Sequence, residues 1–260
     1  MTRRGDGTAP SLQGLVALVT GSTRGIGRAI AEGMRAAGAE VIIHGRSDVG
    51  ARAVADQLGA SWVAADLSSP EQVSRMVADL NARQIDVLVN NAAVELGGTL
   101  ENTSQDDLRE AFQVNVFAPV EIVRGLLPNL RRSSRPSVLF ISSIHESVPY
   151  YGNGAYAASK AALAMYLKTL ALELGPEGIR VNSIAPGAIA TDINREVIAS
   201  IGEDRFSRWI PLGRVGHVWE IGDVAVFLSS ESASYVHGAT VTVDGAYSHH
   251  LVRYRAPSHR

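Results

Sequence analysis

Seven short runs rich in Val, Ile, Leu and Ala recur along this chain, and segments with helical spacing of their apolar residues lie between them. The runs are Leu15–Thr20, Glu40–His44, Ser61–Ala65, Asp86–Asn90, Ser137–Ser142, Arg180–Ile184 and Thr240–Val243. Several are almost continuously apolar rather than alternating, the pattern of a parallel strand covered on both faces. The helical patterns fall at Gly25–Ala37, Val49–Leu58, Glu71–Ala82, Gln105–Leu130, Ala155–Leu174 and Trp219–Leu228. Strand and helix alternating in this way specify an α/β fold, a doubly wound parallel sheet with right-handed crossovers. No composition break, linker or repeat marks a second domain. The expected organisation is a tail over residues 1–10, one domain over 11–247 and a C-terminal tail over 248–260.

Local punctuation agrees with this division. Gly38 follows the first helical pattern, and Gly175-Pro176 is placed to stop the helix that ends at Leu174. Ser104, followed by Gln105-Asp106-Asp107, reads as an N-cap with acids in the first turn. Pro119 falls inside the long middle helix and predicts a kink or break near Asn115. The least regular stretch, about 187–211, is placed as a flap over a ligand.

Composition narrows the classes. No apolar run reaches the roughly 20 residues that a membrane span needs. The two arginines near the N-terminus lack an apolar stretch behind them, so no secretory signal is expected there. There is no cysteine, which removes disulfides, thiolate nucleophiles and Cys-ligated metal; no metal site is expected, and a cytoplasmic address is the default. A formal charge of −2 gives no general attraction to nucleic acid. The tail from His249 to Arg260, with three arginines and three histidines, reads as a solvated tail or subunit contact. Of the 24 basic residues only Lys160 and Lys168 are lysines.

Two constellations carry chemistry. The first is Thr20-Gly21-Ser22-Thr23-Arg24-Gly25-Ile26-Gly27, where a strand meets a helix N-terminus. Backbone N–H groups and the positive end of the helix dipole converge there, and glycine lets a pyrophosphate approach. At the end of the second strand, an acid would accept from the adenosine ribose and repel a 2′-phosphate. His44-Gly45-Arg46 stands there instead. Arg24 and Arg46 suit a phosphate dianion at that corner, although two solvated arginines fit the same pattern; the missing acid favours NADP(H). Asp66, after the third strand, fits either an acceptor for the adenine amino group or a helix-capping acid.

The second constellation is Ser143 followed by Tyr156-Ala157-Ala158-Ser159-Lys160. Tyr156 and Lys160, four residues apart, share one helix face. An ammonium beside the phenol and the positive nicotinamide of an oxidised cofactor both favour phenolate, and together they are expected to acidify a group whose ordinary pKa is about 10. In so arginine-biased a chain, lysine at this position points to a compact charge with three donors. Ser143 is placed where its hydroxyl can hold a substrate oxygen beside Tyr156.

Together with Asn90-Asn91-Ala92, Asn115, Pro186-Gly187 and Asp244-Gly245, these motifs resemble the short-chain dehydrogenase/reductase family from about Ser11 to Tyr247. The resemblance implies a single Rossmann-like domain with a seven-stranded parallel sheet, usually in a homotetramer or homodimer paired through its long helices. It implies an NADP(H)-dependent oxidoreductase that transfers a hydride to or from a carbonyl or secondary alcohol. Tyr156 would be the general acid/base, Ser143 the oxygen anchor, Lys160 the partner of the nicotinamide ribose, and Asn115 the holder of a relay water. Cofactor contacts would come from Gly21, Ser22, Thr23, Arg24, Gly25, Ile26 and Gly27, then from Arg46, Asp66 and Leu67. Asn91, Ala92 and Ala93, with Tyr156 and Lys160, would follow, and finally Pro186, Gly187, Ile189 and Thr191. A non-catalytic dinucleotide sensor on the same fold is the alternative, and such a sensor would be expected to lose Tyr156, Lys160 or Ser143.

Within the family, the chain resembles the 3-oxoacyl-[acyl-carrier-protein] reductase and glucose 1-dehydrogenase branches. Glu95, His145 and Glu146 fit the second pattern, and a pocket with Glu95, Ser143, His145 and Tyr156 suits a small polar substrate. A carrier-bound substrate would want a basic mouth, for which Arg131, Arg132 and Arg135 are the obvious run, equally explained as a solvated loop. Two positions depart from the family pattern: Ala93 and Ala246 stand where glycine is usual. Alanine at position 93 would be strained if that residue needs positive φ.

Overall fold

The computed structural model describes residues 10–191 and 198–249, apart from the side chain of Glu203. Seven parallel strands form one sheet: β1 (Val16–Val19), β2 (Glu40–Gly45), β3 (Ser61–Ala64), β4 (Val87–Asn90), β5 (Ser137–Ile141), β6 (Arg180–Pro186) and β7 (Thr240–Val243). Their spatial order is β3-β2-β1-β4-β5-β6-β7. The doubly wound reading holds, and the chain reverses direction across the sheet between β1 and β4. The expected N-terminal tail (bar residue 10) and all but the start of the C-terminal one lie outside the described residues, as do residues 192–197 of the expected flap.

Both faces of the sheet are buried, which is why the strands read as continuous apolar runs. Leu18, Ile42, Leu88, Val138, Phe140 and Val181 point into one layer, with α3 (Pro70–Leu80), α5 (Ala118–Arg132) and α6 (Gly154–Leu174). Val19, Val41, Ile43, Val89, Leu139 and Ile184 point to the other, against α1 (Gly25–Ala36), α2 (Asp48–Leu58) and the last helix, Val218–Ser229. Among the described residues no helix is long and apolar enough to cross a membrane.

The long middle helix departs from its expected form. α4 (Gln105–Phe112) opens on a capping box, in which Ser104 Oγ accepts from Asp107 N at 3.0 Å and Asp107 Oδ2 from Ser104 N at 2.9 Å. The helix then widens into a π turn, Gln113–Phe117, before α5 begins. Pro119 explains the break: its ring clashes with the carbonyl four residues back, that of Asn115, and it has no N–H to give. Gly38 lies just beyond α1 at φ +98, as expected of a terminating glycine. Gly175 does not play that part. It stays right-handed at φ −56, Pro176 continues into a 3-10 turn, and Gly178 at φ +75 supplies the left-handed residue. The stretch placed as a flap holds a short helix, Glu203–Ser207, whose Phe206 packs with Ile210 and Val215 against Trp209 and Tyr247.

Candidate active site

Every constellation read from the sequence meets at the C-terminal ends of the strands, around a cavity of about 940 Å³. One end is built by the β1–α1 loop. α2, α3 and α4 each begin on a serine that caps a backbone N–H: Ser47, Ser69 and Ser104. α1 begins on Arg24, with no side-chain cap and no acid in its first turn. Its first amides and the positive end of its dipole are therefore left for a ligand. Gly25 adopts φ +54, and a Cβ built there meets only Thr191 Cγ2, at 3.8 Å, so the loop backbone stands open to the cavity. A pyrophosphate fits these features, and Thr23, Arg24, Gly25, Ile26 and Gly27 would hold it.

Arg24 and Arg46 both line this end, as do Asp66 and Leu67. Asp66 is not the cap of α3, which is Ser69. Its Oδ1 accepts from the N–H and hydroxyl of Ser68 at 3.0 and 2.9 Å, and chiefly the Ser68 N–H, with Arg46 adding, holds its carboxyl below the usual range. Ser22, expected at the cofactor, is buried instead. Its Oγ donates to Val19 O at 2.7 Å and accepts from His44 N at 3.0 Å, so it ties the loop to the sheet. Asn91 also acts on the loop, donating through Nδ2 to Thr20 O at 2.9 Å and Gly21 O at 3.2 Å. Asn91, Ala92, Ala93, Pro186, Gly187, Ile189 and Thr191 line the middle of the cavity. Ala93 carries no positive φ; among the described residues the one non-glycine that does is Ala246, at φ 67. The strain expected at position 93 belongs there, and Asp244 holds the turn by accepting from Ala246 N at 2.8 Å.

Ser143, Tyr156 and Lys160 line the next part of the cavity. Ser143 follows β5, and Tyr156 lies in the first turn of α6, which packs over the 3-10 turn Ile144–Glu146. Lys160 is buried; its Nζ donates to Ile141 O at 2.9 Å and lies 5.6 Å from the centre of the Tyr156 ring. Burial lowers Lys160 to about 8, opposed by the carboxylates of Glu146 and Glu95. The acidification expected at Tyr156 is not what the side chains alone produce. Burial pushes the phenol up to about 12, with its hydrogen bond to Ser143 opposing, while Glu95 and Tyr150 add to the rise. Asn115 sits in the π turn, outside the cavity wall. Its Nδ2 donates to Val94 O and Ser159 Oγ, both at 2.9 Å, and its Oδ1 accepts from Val94 N at 2.9 Å. Both side-chain N–H groups are spent, so a relay through Asn115 has only its main chain and one lone pair of Oδ1 to use.

Beyond Tyr156 the cavity has two unlike walls. On one, Glu95 accepts from Asn153 Nδ2 at 3.1 Å and burial raises its pKa. His145 donates through Nδ1 to Val148 O at 3.0 Å and stacks on Tyr150 at 4.4 Å between ring centres, which leaves its Nε2 edge for a ligand. The other wall is apolar and aromatic: Ile198, Ile201, Phe206, Trp209 and Tyr247. Ile198, Ile201, Phe206 and Trp209 fall in the stretch placed as a flap over a ligand, but the sequence singles out none of these five residues, and Tyr247 joins them from a distant segment with no shared motif. The basic run lies elsewhere, at the end of α5 by the N-terminal edge of the sheet. Arg131 forms a two-point ion pair with Glu177, and Arg132 and Arg135 donate to Asn81 O and Gln13 O. Within one chain, these arginines do not form the mouth of the cavity.

A family profile described as enoyl-(acyl carrier protein) reductase matches residues 21–248. The chain is 37% identical over 242 residues to the 3-oxoacyl-[acyl-carrier-protein] reductase FabG of Aquifex aeolicus, covering 90% of this chain and 97% of that one. It belongs to the short-chain dehydrogenase/reductase family. Solved structures of other members superpose on this short-chain dehydrogenase/reductase closely. The Pseudomonas aeruginosa RhlG/NADP active-site complex gives a TM-score of 0.87 at 35% identity, covering 93% of this chain and all of that one. A structure described as a putative NAD(P) dependent gluconate 5-dehydrogenase from Beutenbergia cavernae, with bound NADP, gives 0.88 at 35% identity, with 94% and 100% covered. The chain is thus a dehydrogenase/reductase acting on CH–OH groups, related both to FabG and to sugar dehydrogenases, in a family whose typical cofactor is NAD(P).

Proposed function

We propose that this chain is an NADP(H)-dependent oxidoreductase that interconverts a carbonyl and a secondary alcohol, with Tyr156 as the proton-transfer residue. The observation that carries the reading is the convergence of Ser143, Tyr156 and Lys160 on one cavity with the uncapped N-terminus of α1. When bound, the reduced nicotinamide supplies hydride. Ser143 Oγ holds the substrate oxygen, and Tyr156 Oη delivers the proton to it. Lys160 Nζ, with N–H groups to spare beyond its bond to Ile141, binds the ribose hydroxyls. Arg24 and Arg46 take the 2′-phosphate, a preference supported by the missing acid after β2 and by the NADP-bound relatives. The substrate is of 3-oxoacyl or sugar/polyol type, and Glu95 and His145 favour a polar group beside the reacting carbon.

Oxidation of NADPH with a panel of 3-oxoacyl thioesters and keto-sugars tests this reading. Turnover is expected, with kcat/KM higher for NADPH than NADH and the preference eroded in Arg46→Ala. A preference for NADH that Arg46→Ala leaves unaltered would overturn the 2′-phosphate assignment. Dinucleotide binding without turnover of any substrate would favour a sensor.

We also infer a homotetramer. Leu108, Phe117, Met165, Tyr166 and Leu172 are exposed on α4, the π turn and α6, and Trp219, Phe227 and Tyr235 are exposed near the β7 edge. Two separate apolar faces suit two two-fold contacts. Sedimentation equilibrium at micromolar concentration should give four times the chain mass of 27.6 kDa; a monomer would sink the inference.

A further inference from the structure

The residue after the apolar part of β2 carries an arrangement that the proposed reaction does not use. His44 is 2% exposed and touches two other elements at once. Its Nδ1 accepts from the N–H of Gly21 at 3.0 Å, and its Nε2 faces Ala65 O at 3.2 Å, just past β3. Because one partner is an N–H and the other a carbonyl, the ring must be neutral, with its proton on Nε2. Two further bonds complete the joint, one between main chains and one to a side chain: Ser22 N donates to His44 O at 3.0 Å, and His44 N donates to Ser22 Oγ at 3.0 Å. The first turn of the phosphate loop is thereby fastened to the strand end that continues into Gly45 and Arg46. An aliphatic side chain of similar volume would fill the space but take from the part-buried Gly21 N–H its acceptor.

We propose that His44 is a positioning residue for dinucleotide binding, which fixes the Gly21 amide so that the phosphate loop and the Arg46 corner keep one register. The proposal rests on the reading that this end of the cavity takes the dinucleotide. Burial pushes the ring down to about 4, the bond to Ala65 opposing, so the neutral form it requires persists through the physiological range. The charged groups on the elements around it are Arg24, Arg46, Asp48 and Asp66, and the ring's hydrogen bonds go instead to Gly21 and Ala65.

Two polar substitutions separate positioning from mere filling. In His44→Asn the amide oxygen can stand where Nδ1 stood and accept from Gly21. In His44→Gln the longer side chain reaches Ala65 O but not Gly21. Each keeps one of the two bonds, so their cofactor-free melting temperatures should lie close together. Titration calorimetry with NADP⁺ on the full chain should show His44→Asn near the parent and His44→Gln weaker by about tenfold, the scale of one lost hydrogen bond. In steady state the Gln variant should raise KM for NADPH with kcat little changed. Equal NADP⁺ affinity in the two variants overturns the proposal, whether both match the parent or both fall. A parent that fails to bind NADP⁺ would instead overturn the cofactor reading on which it stands.

Discussion

Tyr156→Phe is expected to lower kcat/KM for ketone reduction by about 10²–10⁴-fold, the usual worth of a positioned proton donor. NADP⁺ affinity, measured by calorimetry, should stay near the parent's. The ring is held by packing that phenylalanine keeps, and the phosphate loop lies at the other end of the cavity. Only the hydroxyl is lost, and with it the hydrogen bond to Ser143. The pH profile follows from the same surroundings. With the phenol at about 12, Tyr156 keeps its proton across neutrality and is ready to donate it. Lys160, lowered to about 8, is charged below that pH and neutral above it. Reduction by the parent should therefore be flat through neutrality and fall as pH rises through about 8, because the ammonium is lost first. A Phe variant with parental rates would remove Tyr156 from the reaction.

Gly27→Ala is expected to cost about 2–3 kcal/mol of stability, in the range of an overpacked core site. A Cβ at position 27 would overlap the Gly21 carbonyl oxygen and the Asn91 side-chain amide. Neither can yield cheaply. Asn91 Nδ2 is fixed by Thr20 O and Gly21 O, and Gly21 is tied through its own N–H to His44. The methyl must push α1 away from the loop, and the amides aimed at the phosphate move with it. NADP⁺ binding should weaken by about 100-fold, equivalent to 2–3 kcal/mol. Gly154→Ala is the control, since a Cβ there meets nothing within 4 Å. Chemical denaturation and calorimetry on both variants check the pair; parental binding in Gly27→Ala would show that the loop can relax without loss of the cradle.

Features set by neighbours in sequence were legible without a structure. Ser104 caps α4 because the groups it needs lie within one helical turn. Pro119 opens the helix near Asn115 because the clash reaches only four residues back. The buried strands declared themselves through unbroken apolar runs, and the spacing of Tyr156 and Lys160 put both on one helix face. Other readings failed where a distant segment decides. Gly175 looked like a helix stop by its context, yet the left-handed turn falls at Gly178; a Cβ on Gly175 would instead meet His237 Nε2 at 2.8 Å. Ser22 lies inside the glycine motif but faces the sheet, because the backbone there is zipped to β2.

The identity and order of the side chains thus determined the fold class, the helix faces and the loop and helix whose residues meet around the cavity. Only the tertiary structure decided that His44 would be a neutral buried strut, that the protein groups around Tyr156 would by themselves raise its phenol, and that Ala246 rather than Ala93 would bear the left-handed backbone. The physical reason is that desolvation and hydrogen-bond completion depend on what the folded chain brings alongside a group, as Gly21 and Ala65, each more than twenty residues away in sequence, are brought to His44.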